Sequence, residues 1–436
     1  MFHFLVCSQR TLGVRLGIRR PCSSYGEEGH VAAVKTQEDS ITQLKMEGAT
    51  AKNIGFGRLH RIGKKRHSGG EKVTRGSKRA VCQLVLERFD RQYGEELGDS
   101  WASVRSVLLD PASWQHGVLL NRFAAATDAE RALLSQGFST LLPRREGPEG
   151  DSRPLPSEAD LAPPPPPLQC YIHPRPTRFP SPAHRAGQLK PYYLLNAASL
   201  LPVLALQVGD GEKVLDLCAA PGGKALAVMQ CATPAFLCCN EPDSHRRERL
   251  AKTLESFLPR WMSSRVHVSA QDGRSFGQSE VGKYDKVLVD APCSNDRSWL
   301  FSSADQQMEQ RFKERSRLPR LQVQLLRSAL SAVRPGGAVV YSTCTMSSAE
   351  NFAVVEAVLR DCPEAEPEDL QEEIALPLST HFSFRVGGQV THPQPLQPQS
   401  VRASSRDHKL GILVLPQPRK TWGPMFVSRL RKRKNK

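Results

Sequence analysis

The 436-residue sequence lacks the patterns of several common protein classes. Its 11 cysteines are odd in number and include no Cys-x-x-Cys pair, which favours a reducing compartment over a disulfide framework or a zinc module. Cys238 and Cys239 are neighbours in a predicted strand, so their side chains should point to opposite faces. The apolar stretch 192–208 is interrupted by polar residues and Pro202, and it is shorter than the ~20 residues of a membrane-spanning helix. We therefore predict no metal site, no membrane insertion, and a core helix at 192–208.

Acidic residues are scarce at both ends of the chain. Residues 1–80 contain 16 Lys and Arg against 6 Asp and Glu, and residues 419–436 contain 8 against none. The formal net charge is +16, which favours a polyanionic partner such as nucleic acid. The first 26 residues contain four arginines among apolar and hydroxyl residues and no acid. This composition is typical of a mitochondrial presequence, with a disordered basic tail as the alternative.

From residue 190 onward, strand and helix patterns alternate. Strands are predicted at 213–218, 235–241, 265–272, 284–290 and 338–344. Helices are predicted between most of them, at 224–231, 244–257, 318–333 and 349–361. This alternation indicates an α/β fold with a parallel sheet covered on both faces. The later apolar segments 410–415 and 425–430 should complete the sheet at one edge.

The first strand of this series runs into the turn Cys-Ala-Ala-Pro-Gly-Gly-Lys at 218–224. It is neither a phosphate-binding P-loop nor the dinucleotide Gly-x-Gly-x-x-Gly pattern. Glu241 ends the next strand, where a carboxylate can accept hydrogen bonds from ribose hydroxyls. Asp272 ends the third strand and is a candidate acceptor for an exocyclic amine. Together these features favour an adenosine cofactor that needs no phosphate, and S-adenosylmethionine is the best candidate.

Two cysteines follow the ends of later strands, Cys293 in Asp-Ala-Pro-Cys and Cys344 in Ser-Thr-Cys-Thr. A thiolate that adds to carbon 6 of a pyrimidine makes carbon 5 reactive toward a methyl donor. Cys344 precedes Ser347-Ser-Ala-Glu350, a capping-box pattern, so we expect a helix N-terminus whose positive potential favours the thiolate. Buried structural cysteines are the alternative interpretation of either thiol taken alone.

These motifs resemble those of the Sun/Fmu-type RNA cytosine-5 methyltransferases. The resemblance covers roughly residues 81–430, and it implies a seven-stranded, mostly parallel, Rossmann-like methyltransferase sheet with a small N-terminal helical segment. It also implies that Cys344 is the nucleophile and that Cys293 assists product release. The residues that it assigns to S-adenosylmethionine binding are Cys218, Ala219, Ala220, Pro221, Gly222, Gly223, Lys224, Glu241, Asp272 and Asp290. By the same resemblance, Asp290 also contacts the target cytosine.

Further similarities indicate which kind of RNA the resemblance implies as the substrate. Residues 192–206 resemble the two mitochondrial members of the family, one acting on transfer RNA and one on ribosomal RNA. Segments 92–101, 119–123 and 293–303 resemble the transfer RNA member, which implies methylation of wobble cytosine 34 of mitochondrial methionine tRNA in the matrix. Ribosomal RNA methylation, or a catalytically idle RNA-binding assembly factor, are the alternatives. No obligate protein partner is indicated.

The sequence suggests five regions and three candidate RNA contacts. The regions are a basic presequence or disordered region at 1–80, a helical RNA-contacting segment at 81–142, a Pro-rich linker at 143–185, the catalytic domain at 186–430 and a basic tail at 431–436. The candidate contacts with the anticodon stem-loop are 81–138, the basic cluster 311–320 and the tail 429–436. A solvated helix face is the alternative for each basic cluster, including Arg246, Arg247, Arg249 and Lys252.

Overall fold

The computed structural model describes residues 80–142, 168–183, 185–302, 308–386, 389–390 and 410–434. The predicted presequence and residues 143–167 of the predicted linker lie outside this described part. Across the residues that are described, no helix has both the length and the apolar character needed to cross a membrane.

Eleven α-helices and fourteen strands form the described structure. The helices are α1 Gln83–Leu97, α2 Ser100–Leu109, α3 Thr127–Ser135, α4 Leu201–Leu206, α5 Gly223–Cys231, α6 Ser244–Phe257, α7 Phe276–Ser279, α8 Asp296–Leu300, α9 Met308–Ser316, α10 Leu318–Ala332 and α11 Phe352–Asp361. The strands are β1 Gly117–Leu120, β2 Ser139–Thr140, β3 Cys170–Ile172, β4 Tyr192–Leu195, β5 Lys213–Asp216, β6 Phe236–Asn240, β7 Val266–Ser269, β8 Tyr284–Asp290, β9 Val333–Thr343, β10 Ala365–Glu368, β11 Phe384–Val386, β12 Gln389–Val390, β13 Ile412–Val414 and β14 Met425–Lys432.

The larger sheet contains the predicted methyltransferase fold. Its strand order is β12-β11-β13-β14-β9-β8-β5-β6-β7, with β10 paired to β14. Strands β5 to β9 are mutually parallel, and β14 runs antiparallel to β9 and β13. The seven contiguous strands from β13 to β7 therefore make the mostly parallel Rossmann-like sheet that the sequence predicts. The short strands β10, β11 and β12 are additions around its antiparallel edge.

Two apolar layers cover this sheet, as expected for a parallel sheet. Side chains from α4, α5 and α6 pack on one face, and side chains from α1, α2, α10 and α11 pack on the other. Cys239 belongs to the first layer and Cys238 to the second. The predicted opposite orientation of these two thiols is thus confirmed, and both are core residues.

A second, four-stranded sheet has the order β2-β3-β1-β4. Its strand β4 occupies the start of the stretch 192–208, where the sequence predicts one core helix, so that prediction is wrong in its first half. Only 201–206 form an α-helix, whereas Tyr192–Leu195 pair antiparallel with β1. Strand β3, inside the predicted linker, pairs with β1 and β2 and is fully buried. Both differences arise from long-range pairing, which overrides local pattern.

The basic C-terminal residues belong to the sheet. Strand β14 extends to Lys432, inside the predicted basic tail, and pairs with the acidic strand β10. Arg429 is buried and forms ion pairs with Glu368 at 2.5 Å and Glu373 at 2.6 Å. Arg431 and Arg433 pair with Glu368 and Glu366. These three arginines therefore neutralise carboxylates within the fold, whereas RNA contact by residues 429–436 stays a prediction.

Candidate active site

The carboxyl ends of three adjacent strands bring the predicted site together. Strand β8 lies between β5 and β9, so the turn after β5, the segment after β8 and the segment after β9 meet at one edge of the sheet. Cys293 and Cys344 are 51 residues apart in sequence, yet their sulfur atoms are 3.3 Å apart. The Cys344 backbone N–H also donates to the Cys293 sulfur at 3.3 Å. The two predicted thiols thus share one small volume.

The two sulfurs have different surroundings. The hydrogen bond with Cys344, together with burial, raises the pKa of Cys293 well above its ordinary value, so Cys293 remains a neutral S–H donor near neutral pH. Two cations, Lys224 and Arg297, interact electrostatically with Cys344. Burial lowers the pKa of Arg297 to about 9, which still leaves it charged at neutral pH. Two positively charged side chains therefore lie near the Cys344 sulfur.

The expected capping box after Cys344 does not form, so that prediction is wrong. Ser347 makes no side-chain cap in the described structure, and only a short 3₁₀ turn, Ser348–Glu350, follows it. Helix α11 begins at Phe352. The Glu350 carboxylate instead accepts the Ser294 backbone N–H at 2.9 Å. Glu350 therefore binds Ser294 and does not cap a helix. The positive charge near Cys344 comes from the side chains of Lys224 and Arg297.

Asp290, at the end of β8, lies in the site but is engaged with neighbouring residues. Its Oδ2 accepts from Lys224 Nζ at 2.7 Å, and its Oδ1 accepts from Ser342 Oγ at 2.8 Å. Burial alone would lower the pKa of Lys224, but the Asp290 carboxylate outweighs it and the pKa is raised. Asp290 therefore holds a charged lysine beside the thiols, and its contact with the cofactor and the cytosine, which the resemblance implies, stays a prediction.

The turn 218–224 requires glycine at two positions. Gly222 has φ +108°, and a Cβ there would lie 3.1 Å from the Leu250 side chain. A Cβ on Gly223 would lie 3.0 Å from the Tyr193 ring. Helix α5 begins at Gly223, so the backbone N–H groups of its first turn face the end of β5. At Gly222 and Gly223 the turn therefore brings backbone into close contact with side chains of α6 and β4.

The two predicted adenosine acids differ in environment. Glu241 is buried, accepts the Asp243 N–H at 3.0 Å and pairs with Arg246 at 3.2 Å. Asp272 is about half exposed and binds Arg274 through both carboxylate oxygens. The hydrogen bonds from Arg274 hold the pKa of Asp272 below its ordinary value. Both acids form an ion pair with an arginine, Glu241 with Arg246 and Asp272 with Arg274.

Asp216, the last residue of β5, is a candidate site residue that the sequence reasoning did not single out. It is 1 % exposed, and neither of its carboxylate oxygens has a hydrogen-bond partner in the described residues. Burial and the nearby Asp290 raise its pKa to about 7. A buried acid without a partner costs free energy, which points to a missing donor. One feature of the sequence could have identified Asp216: it is a carboxylate at the end of a predicted buried strand, just before the glycine turn.

Much of the charge in the predicted basic clusters is used within the fold. Arg246 donates to the Ala220 carbonyl, and Lys252 pairs with Glu248. In the 311–320 cluster, the Arg315 guanidinium lies 3.4 Å from the centre of the Trp299 ring. These contacts place Arg246 and Arg315 beside the active-site segments, whereas RNA contact by either cluster stays a prediction.

Fold and site together define a Rossmann-like methyltransferase with a paired-thiol centre. Residues 203–396 match the family described as 16S rRNA methyltransferase RsmB/F. A Danio rerio protein, the mitochondrial "tRNA (cytosine(34)-C(5))-methyltransferase", is 53% identical over 81% of this chain and 88% of its own length. The Bos taurus "5-cytosine rRNA methyltransferase NSUN4" is 37% identical over 80% of this chain and 89% of its own length.

A solved structure supports the fold. NSun6 from Pyrococcus horikoshii, solved with SFG, superposes with a TM-score of 0.53 over 82% of this chain and 100% of that chain, at 16% identity. At this identity the match concerns the fold alone. From the sequence relatives, the chain belongs to the RsmB/F, or Sun/Fmu-type, family of RNA cytosine-5 methyltransferases.

Proposed function

We propose that this protein methylates carbon 5 of cytosine 34, the wobble cytosine, in mitochondrial methionine tRNA, and that it acts in the mitochondrial matrix. The observation that carries the chemistry is the 3.3 Å separation of the Cys293 and Cys344 sulfurs at adjoining strand ends. The tRNA substrate and the mitochondrial location rest on the name of the Danio rerio relative and on the basic, acid-free N-terminus of this chain. The ribosomal relative at 37% identity makes ribosomal RNA the competing substrate.

The residues present fit an S-adenosylmethionine cofactor. The unpartnered, buried carboxylate of Asp216 matches an ammonium group, and helix α5 begins directly after the turn that follows Asp216. Glu241 and Asp272 would hold the adenosine half, Glu241 by accepting hydrogen bonds from the ribose hydroxyls and Asp272 by accepting one from the exocyclic amine. These hydrogen bonds would add to, or replace, the present ion pairs with Arg246 and Arg274. S-adenosylmethionine supplies the methyl group that carbon 5 of cytosine accepts.

Cys344 is the proposed nucleophile. Its thiolate sulfur forms a bond to carbon 6 of the cytosine, and the displaced electron pair makes carbon 5 nucleophilic. Lys224 and Arg297 place positive charge near this sulfur. The base must leave its stack for the sulfur to reach carbon 6, and an anticodon loop lowers that cost because its bases are unpaired.

Cys293 is proposed to act in release. Once carbon 5 carries the methyl group, a base removes the carbon 5 proton, the carbon 6–sulfur bond breaks and Cys344 leaves as a thiolate. A thiolate leaves more readily when a hydrogen bond stabilises its charge. Cys293, kept protonated and 3.3 Å from the Cys344 sulfur, is positioned to donate that hydrogen bond.

The test is methyl transfer from labelled S-adenosylmethionine to a short anticodon stem-loop. Wild type is compared with Cys344→Ala, with Cys293→Ala, and with Cys362→Ala as a control in which the mutated cysteine lies at the end of α11, outside the site. We expect no product with Cys344→Ala, a covalent protein–RNA adduct that accumulates with Cys293→Ala, and wild-type turnover with Cys362→Ala.

Two results would overturn the proposal in different ways. Full activity of Cys344→Ala contradicts the nucleophile assignment while leaving the substrate intact. Methylation of a ribosomal RNA fragment, with none on the stem-loop, contradicts the tRNA assignment while leaving the chemistry intact.

A further inference from the structure

Two buried carboxylates connect the segments that carry the two cysteines. We call residues 291–296 the Cys293 loop and residues 344–351 the Cys344 loop. Asp296 lies in the first and Glu350 in the second, and they are 0 % and 4 % exposed. Neither residue was among the sequence candidates for catalysis or cofactor binding.

Asp296 binds the loop opposite its own. Its Oδ1 accepts from the Thr345 hydroxyl at 2.9 Å, and its Oδ2 accepts from the Met346 backbone N–H at 2.8 Å. These two donors belong to the residues that directly follow Cys344. A two-point contact of this kind restricts both the position and the rotation of the backbone next to the sulfur.

Glu350 makes the reciprocal contact. Its Oε2 accepts from the Ser294 backbone N–H at 2.9 Å, and its Oε1 accepts from the Ser294 hydroxyl. Gln322, on α10, donates to the same carboxylate at 2.9 Å. Ser294 directly follows Cys293, so each carboxylate holds the residue next to the other loop's cysteine.

Helix α1 braces the Cys344 loop from outside. The Tyr93 hydroxyl is 3.2 Å from Thr345 Oγ1, and Gln92 donates to Ser347 Oγ at 3.2 Å. Glu96 accepts the Ser348 N–H at 2.9 Å. The N-terminal helical segment, predicted from sequence to contact RNA, is thus also built into the wall of the thiol site.

We propose that Asp296 and Glu350 are positioning residues, a reciprocal carboxylate clamp that sets the separation and direction of the two sulfurs for cytosine addition and release. This inference rests on the proposed cytosine methylation. Burying two acids disfavours folding unless their hydrogen bonds are complete, and well-packed apolar side chains would stabilise the loops as well. We therefore assign the clamp to geometry, because a misplacement of ~1 Å at a reacting atom can reduce the rate about 100-fold.

Asp296 is a better residue to mutate than Glu350, because its hydrogen-bond donor Thr345 can be replaced by valine, which has the same shape and no hydroxyl. Asp296→Ala removes both acceptors, Asp296→Asn retains one, and Thr345→Val removes the donor while retaining the shape. Single-turnover methyl transfer to the stem-loop, the dissociation constants for S-adenosylmethionine and for RNA, and the rate of covalent trapping by a 5-fluorocytosine stem-loop are measured for each variant. Glu356→Ala, at an exposed position on α11 outside the candidate RNA contacts, is the control.

We expect Asp296→Ala to lower the single-turnover and trapping rate constants by about tenfold or more, with both dissociation constants within about twofold of wild type. Asp296→Asn should recover part of the rate. The rate losses of Asp296→Ala and Thr345→Val should not add in the double variant, because both remove the same contact.

Three outcomes would overturn the clamp. The first is a wild-type rate in Asp296→Ala. The second is a rate loss matched by an equal loss of cofactor affinity and of thermal stability, which indicates a general structural role. The third is full additivity with Thr345→Val. Failure of the wild-type protein to methylate any RNA would instead refute the proposed function itself, so the two failures are distinguishable.

Discussion

Asp216→Asn is expected to change how stability depends on pH. Burial, then Asp290, raise the pKa of Asp216 from 3.8 to about 7, so the folded protein resists ionising this carboxyl. The pKa difference of about 3 corresponds to a contribution of about 4 kcal/mol to the free energy of unfolding while the carboxyl is protonated. Because the folded-state pKa is the higher one, this stability is fully present below pH ~4 and is lost as the pH rises through ~7. Between pH 5 and pH 8 the loss is roughly 2 to 3 kcal/mol.

The Asn side chain carries no titrating proton, so its variant should lack this part of the pH dependence. The assay is urea denaturation of the cofactor-free protein at pH 5, 6, 7 and 8, with the free energy of unfolding compared between wild type and Asp216→Asn. From pH 5 to pH 8, the free energy of unfolding of the variant should rise by about 2 to 3 kcal/mol relative to that of wild type. Asp128→Asn, at a carboxyl whose side chain is 94% exposed, is the control and should follow wild type. Parallel profiles for wild type and Asp216→Asn would refute the reasoning.

Two further predictions concern the fold around the site. Arg429→Met should lower the free energy of unfolding by about 1 to 2 kcal/mol, because it removes a buried guanidinium that pairs with the partly exposed carboxylates of Glu368 and Glu373; unchanged urea denaturation would show that these ion pairs contribute nothing net. Gly222→Ala should lower the melting temperature and weaken cofactor binding, since φ +108° strains any side chain by about 1 to 3 kcal/mol; wild-type melting and cofactor titration would contradict the need for glycine.

The core of the fold was predictable because its strands are short apolar runs that end in polar or glycine turns. The prediction for β8, 284–290, matches the structure, and α6 was likewise predicted as 244–257. The small sheet was not predictable in this way. Strand β4 exists because it pairs with β1, more than 70 residues earlier in the chain, and no local pattern reports such a partner.

In the candidate site, too, the residues in local motifs were predictable, whereas the contacts between distant segments were not. The motifs place Cys293, Cys344 and the glycine turn at strand ends, and parallel strands bring such ends together. The partners of the acids were less predictable. Glu350 has the sequence spacing of a capping box, yet its carboxylate binds Ser294, 56 residues away in sequence.

By itself, the sequence determined the α/β class, the family and the two thiols, because periodicity and short motifs are local properties of the chain. Only the tertiary structure decided which charges face each other. It showed that Arg429 is buried in ion pairs within the sheet, that Asp216 lacks a partner, and that Asp296 and Glu350 connect the two cysteine loops. Hydrogen bonds and ion pairs depend on distances of a few ångströms between segments far apart in sequence, which local pattern does not encode.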